Sequence, residues 1–146
     1  MEGKYTKISA IAGVIALAIA IWQFIPKSKK NYAGEWAMIV AIEDAQLRQY
    51  NGMQIEWTLH LSQSDDKLTG TAEKISVNSV KLAFKDRTVL SLQGSLEKNK
   101  FILNYTEKGK LRETSGIFTG EFSGDTFSGT FSSTASDSKG RISGHK

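Results

Sequence analysis

The residues of this chain that could do chemistry are few, and they favour binding over catalysis. The sequence has no cysteine and only two histidines, His60 and His145, and it contains no phosphate-binding loop, no serine elbow and no zinc-ligand spacing. The acidic residues Asp65 and Asp66 are adjacent, so their side chains point apart on an extended chain. We therefore expect no enzymatic activity, no metal and no cofactor.

Three aromatic residues with polar tips are candidate ligand contacts. Trp36, Trp57 and Tyr105 each lie on the apolar face of a segment in which apolar and polar residues alternate. A ring N–H or a phenolic hydroxyl needs a hydrogen-bond partner when it is buried. We therefore predict that these side chains face the interior, as core residues or as ligand contacts.

Arg112 is the candidate contact for a negatively charged ligand. It has the same parity along the chain as Phe118 and Phe122, which places it on the inward face near an end of the fold. A half-buried guanidinium needs an anionic partner. That partner is either a structural carboxylate, such as Glu97 or Glu107, or a phosphate group of a ligand.

The elements that must position these residues are β-strands. From Met53 to Gln63, apolar and polar residues alternate strictly, which predicts one buried and one solvated face. Seven further segments resemble it and are separated by turn-forming residues: Glu35–Glu43, Lys67–Ile75, Thr88–Glu97, Lys100–Thr106, Arg112–Phe122, Thr126–Ser132 and Gly140–His145. We therefore predict that residues 31–146 form a small closed antiparallel meander barrel of about eight strands.

Glycine recurs in the middle of the predicted strands, for example at Gly70, Gly94 and Gly129. Glycine weakens a strand unless strong curvature or a close approach of two backbones requires it. A small, tightly coiled barrel requires both. We interpret these glycines as structural residues and not as a ligand-binding surface.

A stretch without charge from Ile8 to Ile25 precedes the barrel, with lysines on both sides of it. As a helix it would be roughly 27 Å long, close to the thickness of the hydrocarbon core of a bilayer. We therefore predict an amino-terminal transmembrane helix within residues 1–30, so that the fold class is membrane-anchored all-β. A cleaved signal peptide is the alternative, because Ala16-Leu17-Ala18 resembles a cleavage site.

The predicted helix has small residues along one face: Ser9, Ala12, Gly13, Ala16 and Ala20. Small residues allow membrane helices to approach closely. We therefore expect this face to hold a homo-oligomer together within the lipid bilayer, with a passive tether as the simpler interpretation.

Charge is distributed unevenly along the chain. Residues 31–146 hold fourteen basic and fourteen acidic residues, so the isoelectric point of about 9.3 arises from the lysines around the apolar stretch. A neutral domain is not expected to bind long nucleic acids by neutralising phosphates. More lysines follow the apolar stretch than precede it, which favours a cytoplasmic barrel.

The first predicted strand begins with Gly34-Glu35-Trp36. This tripeptide resembles the Gly-x-Trp opening of lipocalins and avidins. In those families the tryptophan closes the floor of the barrel and an arginine of the last strand packs across it. The resemblance implies that Trp36 is a floor residue and that Arg141 packs against it.

The layout of the whole chain resembles a more specific family. A short apolar segment, a lysine-bearing joint, a Gly-x-Trp strand and a minimal barrel that ends in Gly140 to Gly144 are similar to the transmembrane β-barrel effectors of bacterial cyclic-oligonucleotide (CBASS-type) antiphage signalling. Those effectors usually carry two membrane helices, and only one is evident in this chain.

The resemblance implies a single-pass protein of the bacterial inner membrane with a cytoplasmic barrel. The barrel would bind a cyclic di- or oligonucleotide as a regulatory ligand, and the ligand would control oligomerisation and disruption of the membrane in infected cells. Two other classes remain open. One is a membrane-tethered lipocalin-like or avidin-like module for a small ligand. The other is a scaffold subunit that contacts a protein through outward apolar residues such as Ile39, Ile102 and Ile117.

Overall fold

The computed structural model describes residues 30–109 and 112–146. The barrel is the unit Asn31–Lys146. Its strands are β1 (Gly34–Asp44), β2 (Gln54–Ser64), β3 (Lys67–Val77), β4 (Val80–Lys81), β5 (Val89–Glu97), β6 (Lys100–Lys108), β7 (Glu113–Ser123), β8 (Thr126–Ser133) and β9 (Lys139–His145). Three short 3-10 turns, Arg48–Tyr50, Phe84–Asp86 and Ala135–Asp137, lie between strands.

Eight of these strands close into a barrel. Along the chain, β1, β2, β3, β5, β6, β7, β8 and β9 each pair antiparallel with the next, and β9 pairs with β1 to complete the circle. The two-residue strand β4 pairs only with β3 and extends the sheet beyond the barrel. The β-barrel predicted from the alternating segments is therefore confirmed.

The alternation of side chains decides which face of each strand is buried. In β1, Trp36 and Met38 are buried in the interior, and Ile39 between Met38 and Val40 is 41% exposed on the outside. This period of two repeats around the barrel, because successive residues of a strand point to opposite faces. The interior therefore contains one continuous hydrophobic core.

One end of the barrel is closed by a cluster of aromatic rings. Tyr32 stacks on Phe122 with a centroid distance of 4.0 Å, and Phe122 lies 5.2 Å from Trp36 and 4.9 Å from Phe101. The indole Nε1 of Trp36 donates a hydrogen bond of 2.9 Å to the carbonyl oxygen of Tyr32. Because the buried polar atom of the indole is satisfied, this end forms a tightly packed floor.

The predicted fold class, a membrane-anchored all-β protein with an amino-terminal transmembrane helix, is wrong and is corrected to an all-β closed barrel. Across residues 30–109 and 112–146, no helix is long and apolar enough to cross a bilayer. The physical reason is that apolar residues there alternate with polar ones and form strands.

The segment on which the predicted helix falls, 8–25, lies outside the described residues. The five residues predicted to pack one membrane helix against another lie there too: Ser9, Ala12, Gly13, Ala16 and Ala20.

Candidate binding cavity at the open end of the barrel

A cavity of about 370 Å³ lies at the end of the barrel opposite to the aromatic floor. Its walls are mainly apolar and include Val40, Ile42, Met53, Ile55, Leu90, Phe118 and Phe131. Its polar side chains are Tyr50, Lys74, Tyr105, Glu107, Arg112, Thr114, Ser133 and Ser138. A volume of this size falls near the lower limit of small-molecule sites, which span roughly 300–1,000 Å³.

Trp57 and Tyr105 form part of the cavity wall. Trp57 is 5% exposed and lies near the start of β2. The ring of Tyr105 stacks on Phe118 with a centroid distance of 4.5 Å. A side chain at position 116 would collide with this ring, so Gly116 makes room for it. Both aromatic side chains contribute apolar area to the cavity wall.

A partly buried polar group lies on one side of the cavity. Lys74 Nζ donates a hydrogen bond of 3.1 Å to Glu107 Oε1, and the hydroxyl of Thr88 donates one of 2.9 Å to the same oxygen. Both charged side chains are less than one fifth exposed. Lys74 Nζ also lies 5.1 Å from the centre of the Trp57 ring. The charge of Lys74 is thus matched within the protein.

Arg112 lies at the mouth of the same cavity, directly before β7, and its side chain is exposed and not half-buried as predicted. It forms no ion pair with any residue in the part of the chain that the structure describes. Of the two predicted structural partners, Glu97 lies at the opposite end of the barrel and Glu107 bonds to Lys74. The guanidinium is therefore a positive group at the cavity entrance whose charge is not matched by these carboxylates.

Trp36, the fourth predicted ligand contact, lies in the aromatic floor and not in the cavity wall. The prediction that Arg141 packs across it is wrong. Arg141 points outward from β9 and its Nε lies 2.7 Å from Glu43 Oε1, because the neighbouring Ile142 takes the inward position. Lys146 instead places its Nζ 5.6 Å from the centre of the Trp36 ring.

Lys74 lines the cavity but is not among the predicted ligand contacts. A detectable signal was present, because Lys74 has the parity of Leu68, Gly70 and Ala72, which face the interior. A register shift in the pairing of β2 with β3 follows directly after this position. Lys74 itself is still in regular register with Trp57, so its side chain faces inward and reaches Glu107.

Burial raises the pKa of the Tyr105 phenol above its ordinary value of 10.0. The hydrogen bond with Ser133 acts in the opposite direction, and the nearby charge of Glu107 raises the pKa further. A raised pKa means that the folded state holds the proton more tightly than the unfolded state. The resulting stabilisation is complete below about pH 10 and is lost as the pH rises through the pKa of the folded state.

We expect Tyr105→Phe to lower the free energy of unfolding by about 1 kcal/mol near neutral pH, because the hydrogen bond with Ser133 is lost. Above about pH 10 the difference between the variant and the wild type should shrink, because phenylalanine has no proton to lose. Urea unfolding between about pH 8 and about pH 11 measures both effects. A difference that stays constant over this range would contradict the assigned pKa direction.

The fold and the cavity define a class: a small closed β-barrel with a packed floor at one end and an amphipathic cavity at the other. Comparison of the chain with protein families, with curated proteins and with solved structures found no match. The functional assignment therefore depends on the cavity itself.

Proposed function

We propose that the barrel binds a small, mainly apolar molecule that carries one acidic group, and that it holds this molecule in the cavity at the open end. The observation that carries the proposal is the combination of apolar walls with a few polar side chains in one lining, among them Arg112 at the mouth. Small-molecule sites typically have this composition, since apolar area supplies affinity and a few polar groups fix the orientation.

The charges of the cavity support a single acidic group on the ligand. Lys74 is paired with Glu107, whereas Arg112 at the entrance is paired with neither predicted carboxylate. A ligand carboxylate, sulfonate or phosphate next to Arg112 would form a charge-assisted hydrogen bond. The phenol of Tyr105 and the hydroxyl of Thr114 lie in the same lining and offer further hydrogen bonds.

A cyclic di- or oligonucleotide is the second candidate ligand. The specific observation that favours it is that Trp57 and Arg112 line one cavity, since an indole stacks on a base and a guanidinium binds a phosphate. With this ligand the chain would act as an antiphage effector of the bacterial inner membrane, in which the nucleotide controls self-association and membrane damage.

Size and charge make the cyclic nucleotide the weaker candidate. Such a ligand has at least two bases and two phosphates, and it would have to fit a cavity of about 370 Å³. Its second phosphate would meet the Lys74–Glu107 pair, in which the lysine is already neutralised. A nucleotide could place one half in the cavity only if the other half stayed outside.

The experiment that separates the candidates uses the full-length protein purified in detergent. Mass spectrometry of the material released on denaturation identifies a bound ligand, and melting curves then compare fatty acids and aromatic carboxylates with cyclic di- and trinucleotides. Stabilisation by monoacids alone supports the small-ligand module. Stabilisation by a cyclic nucleotide alone supports the sensor. If none of these compounds binds, the assignment of the cavity as a ligand site is wrong.

We expect Arg112→Ala to weaken the binding of 8-anilinonaphthalene-1-sulfonate, an aromatic molecule with one sulfonate, by about tenfold, because a charged hydrogen bond is lost. Titration of the dye fluorescence measures the dissociation constant. The matched control is Arg48→Ala, since Arg48 lies in a neighbouring connection but not in the cavity lining. Equal binding by wild type and Arg112→Ala would exclude Arg112 as a contact.

A further inference from the structure

The open end of the barrel carries exposed apolar side chains that no residue of the described chain covers. Phe84 is 83% exposed, Val80 is 69% exposed and Leu47 is 52% exposed. All three belong to connections between strands at this end, β1 to β2 and β3 to β5. Exposure of a single apolar residue is ordinary, but a group of them on neighbouring connections indicates an interaction surface.

These connections are held in place by hydrogen bonds. Asn78 N donates to the carbonyl oxygen of Gln54 at 2.7 Å, and Gln54 N donates to Asn78 Oδ1 at 2.9 Å. These two bonds tie the β3–β5 connection to the start of β2. Within the connection, Arg87 Nη1 lies 3.3 Å from Glu73 Oε1 of β3. Phe84 is therefore presented to solvent by a fixed segment.

The exposed apolar residues lie among positive charges. In the described connections at the open end, five residues are basic and two are acidic: Arg48, Lys81, Lys85, Arg87 and Arg112 against Asp86 and Asp137. The closed end is nearly balanced, with Asp65, Asp66 and Asp125 in its tight turns against Lys98 and the carboxyl-terminal Lys146. The barrel unit is neutral as a whole, so positive charge is concentrated around the mouth.

We propose that this end of the barrel docks on the surface of an anionic lipid bilayer. The docking area, which we name the mouth surface, consists of Leu47, Arg48, Val80, Lys81, Phe84 and Lys85. Phe84 and Val80 enter the boundary between headgroups and acyl chains, and the lysines beside them contact anionic headgroups. The proposal is independent of which ligand occupies the cavity.

A bilayer fits this surface better than a nucleic acid does. Nucleic-acid sites combine phosphate contacts with stacking or base-edge contacts, and the aliphatic side chains of Leu47 and Val80 supply none of these. A bilayer interface offers negative charge and hydrocarbon within a few ångströms of each other. The mouth surface alternates cations with apolar tips over the same short distance: Val80 is followed by Lys81, and Phe84 by Lys85.

The absence of cysteine from the sequence allows a position-specific test with the full-length chain. Phe84→Cys is labelled with the environment-sensitive dye NBD, and Asp125→Cys at the closed end is the matched control for the dye itself. Each protein is mixed with vesicles of phosphatidylcholine, with and without one third phosphatidylglycerol. Quenching by iodide in water and by a doxyl group on the acyl chains reports where each label lies.

We expect the label at position 84 to shift to shorter emission wavelength and to be quenched by doxyl lipid in the anionic vesicles only. The label at position 125 should remain accessible to iodide in both kinds of vesicle. Because the signal comes from one position, attachment of the protein through another part of the chain does not reproduce it. The proposal would be overturned if iodide quenched the label at position 84 equally with both kinds of vesicle. It would also be overturned if the labels at positions 84 and 125 both inserted.

The contribution of the two lysines of the mouth surface is tested in the NBD-labelled Phe84→Cys protein. Lys81→Gln and Lys85→Gln should each lower the ratio of inserted to aqueous label by about fivefold at low salt. The reason is that each cation near an anionic surface contributes a binding free energy that corresponds to a factor of about five. Added salt at about 1 M should remove most of this difference by screening. Insertion that is insensitive to both lysines and to salt would exclude anionic lipid as the partner.

Discussion

Replacing Gly94 by alanine is expected to lower the free energy of unfolding by about 3 kcal/mol or more. Gly94 lies on the face of β5 that points into the barrel, and it pairs with Leu103 of β6. A Cβ atom at this position would overlap the backbone carbonyl oxygen of Ile102 on that neighbouring strand. A backbone atom cannot rotate away as a side chain can, so the two strands would have to separate. The loss is large compared with the total stability of a typical domain, about 5–15 kcal/mol.

Where the backbone and the space allow it, replacing glycine by alanine normally stabilises a protein slightly, because alanine restricts the unfolded chain. The destabilisation expected for Gly94→Ala therefore has the opposite sign. The matched control is Gly124→Ala in the turn between β7 and β8, where a Cβ would meet nothing within 4 Å. Its cost should be limited to about 1–2 kcal/mol from the positive φ of 59°. Urea unfolding of both variants measures the two values. Equal stability of Gly94→Ala and wild type would mean that β5 and β6 do not approach so closely.

Strand positions could be predicted from the sequence because a closed barrel separates inside from outside at every residue. Along Met53 to Gln63 the apolar residues occupy every second position, and the structure has β2 there. The mid-strand glycines were also interpretable, since Gly94 and Gly129 would each collide with the backbone of a neighbouring strand if they carried a side chain. These features are local, so one segment of sequence contains the signal.

The cavity could be predicted only in part, because it depends on which end of the barrel is filled. Parity along a strand shows that Trp36 and Trp57 both face inward, but it does not show that large rings crowd one end and leave space at the other. Parity along a strand also does not show which charged side chains form ion pairs with each other. The Lys74–Glu107 pair joins strands that are distant in sequence, so Glu107, one of the carboxylates predicted as alternatives for Arg112, is already engaged.

Trp36→Ala is expected to lower the free energy of unfolding by about 3–5 kcal/mol while leaving the binding of 8-anilinonaphthalene-1-sulfonate to the folded protein unchanged. Trp36 is 1% exposed, contacts Phe122 and Phe127 and donates its indole N–H to the Tyr32 carbonyl. Truncation leaves a cavity in the floor and an acceptor without its donor. If the alanine variant does not fold, Trp36→Phe keeps most of the ring volume and removes the same hydrogen bond.

Trp57→Ala is the matched control, and it should show the reverse pattern. Trp57 borders space that is already empty, so its truncation leaves fewer lost contacts and a smaller loss of stability than that of Trp36. The dye, however, would lose an apolar wall and the ring beneath Lys74, and its dissociation constant should rise. Chemical unfolding and dye titration of both variants therefore separate a tryptophan that closes the barrel from one that lines its ligand site. If Trp36→Ala weakens dye binding as much as Trp57→Ala does, the ligand reaches the floor and the cavity is deeper than its lining residues indicate.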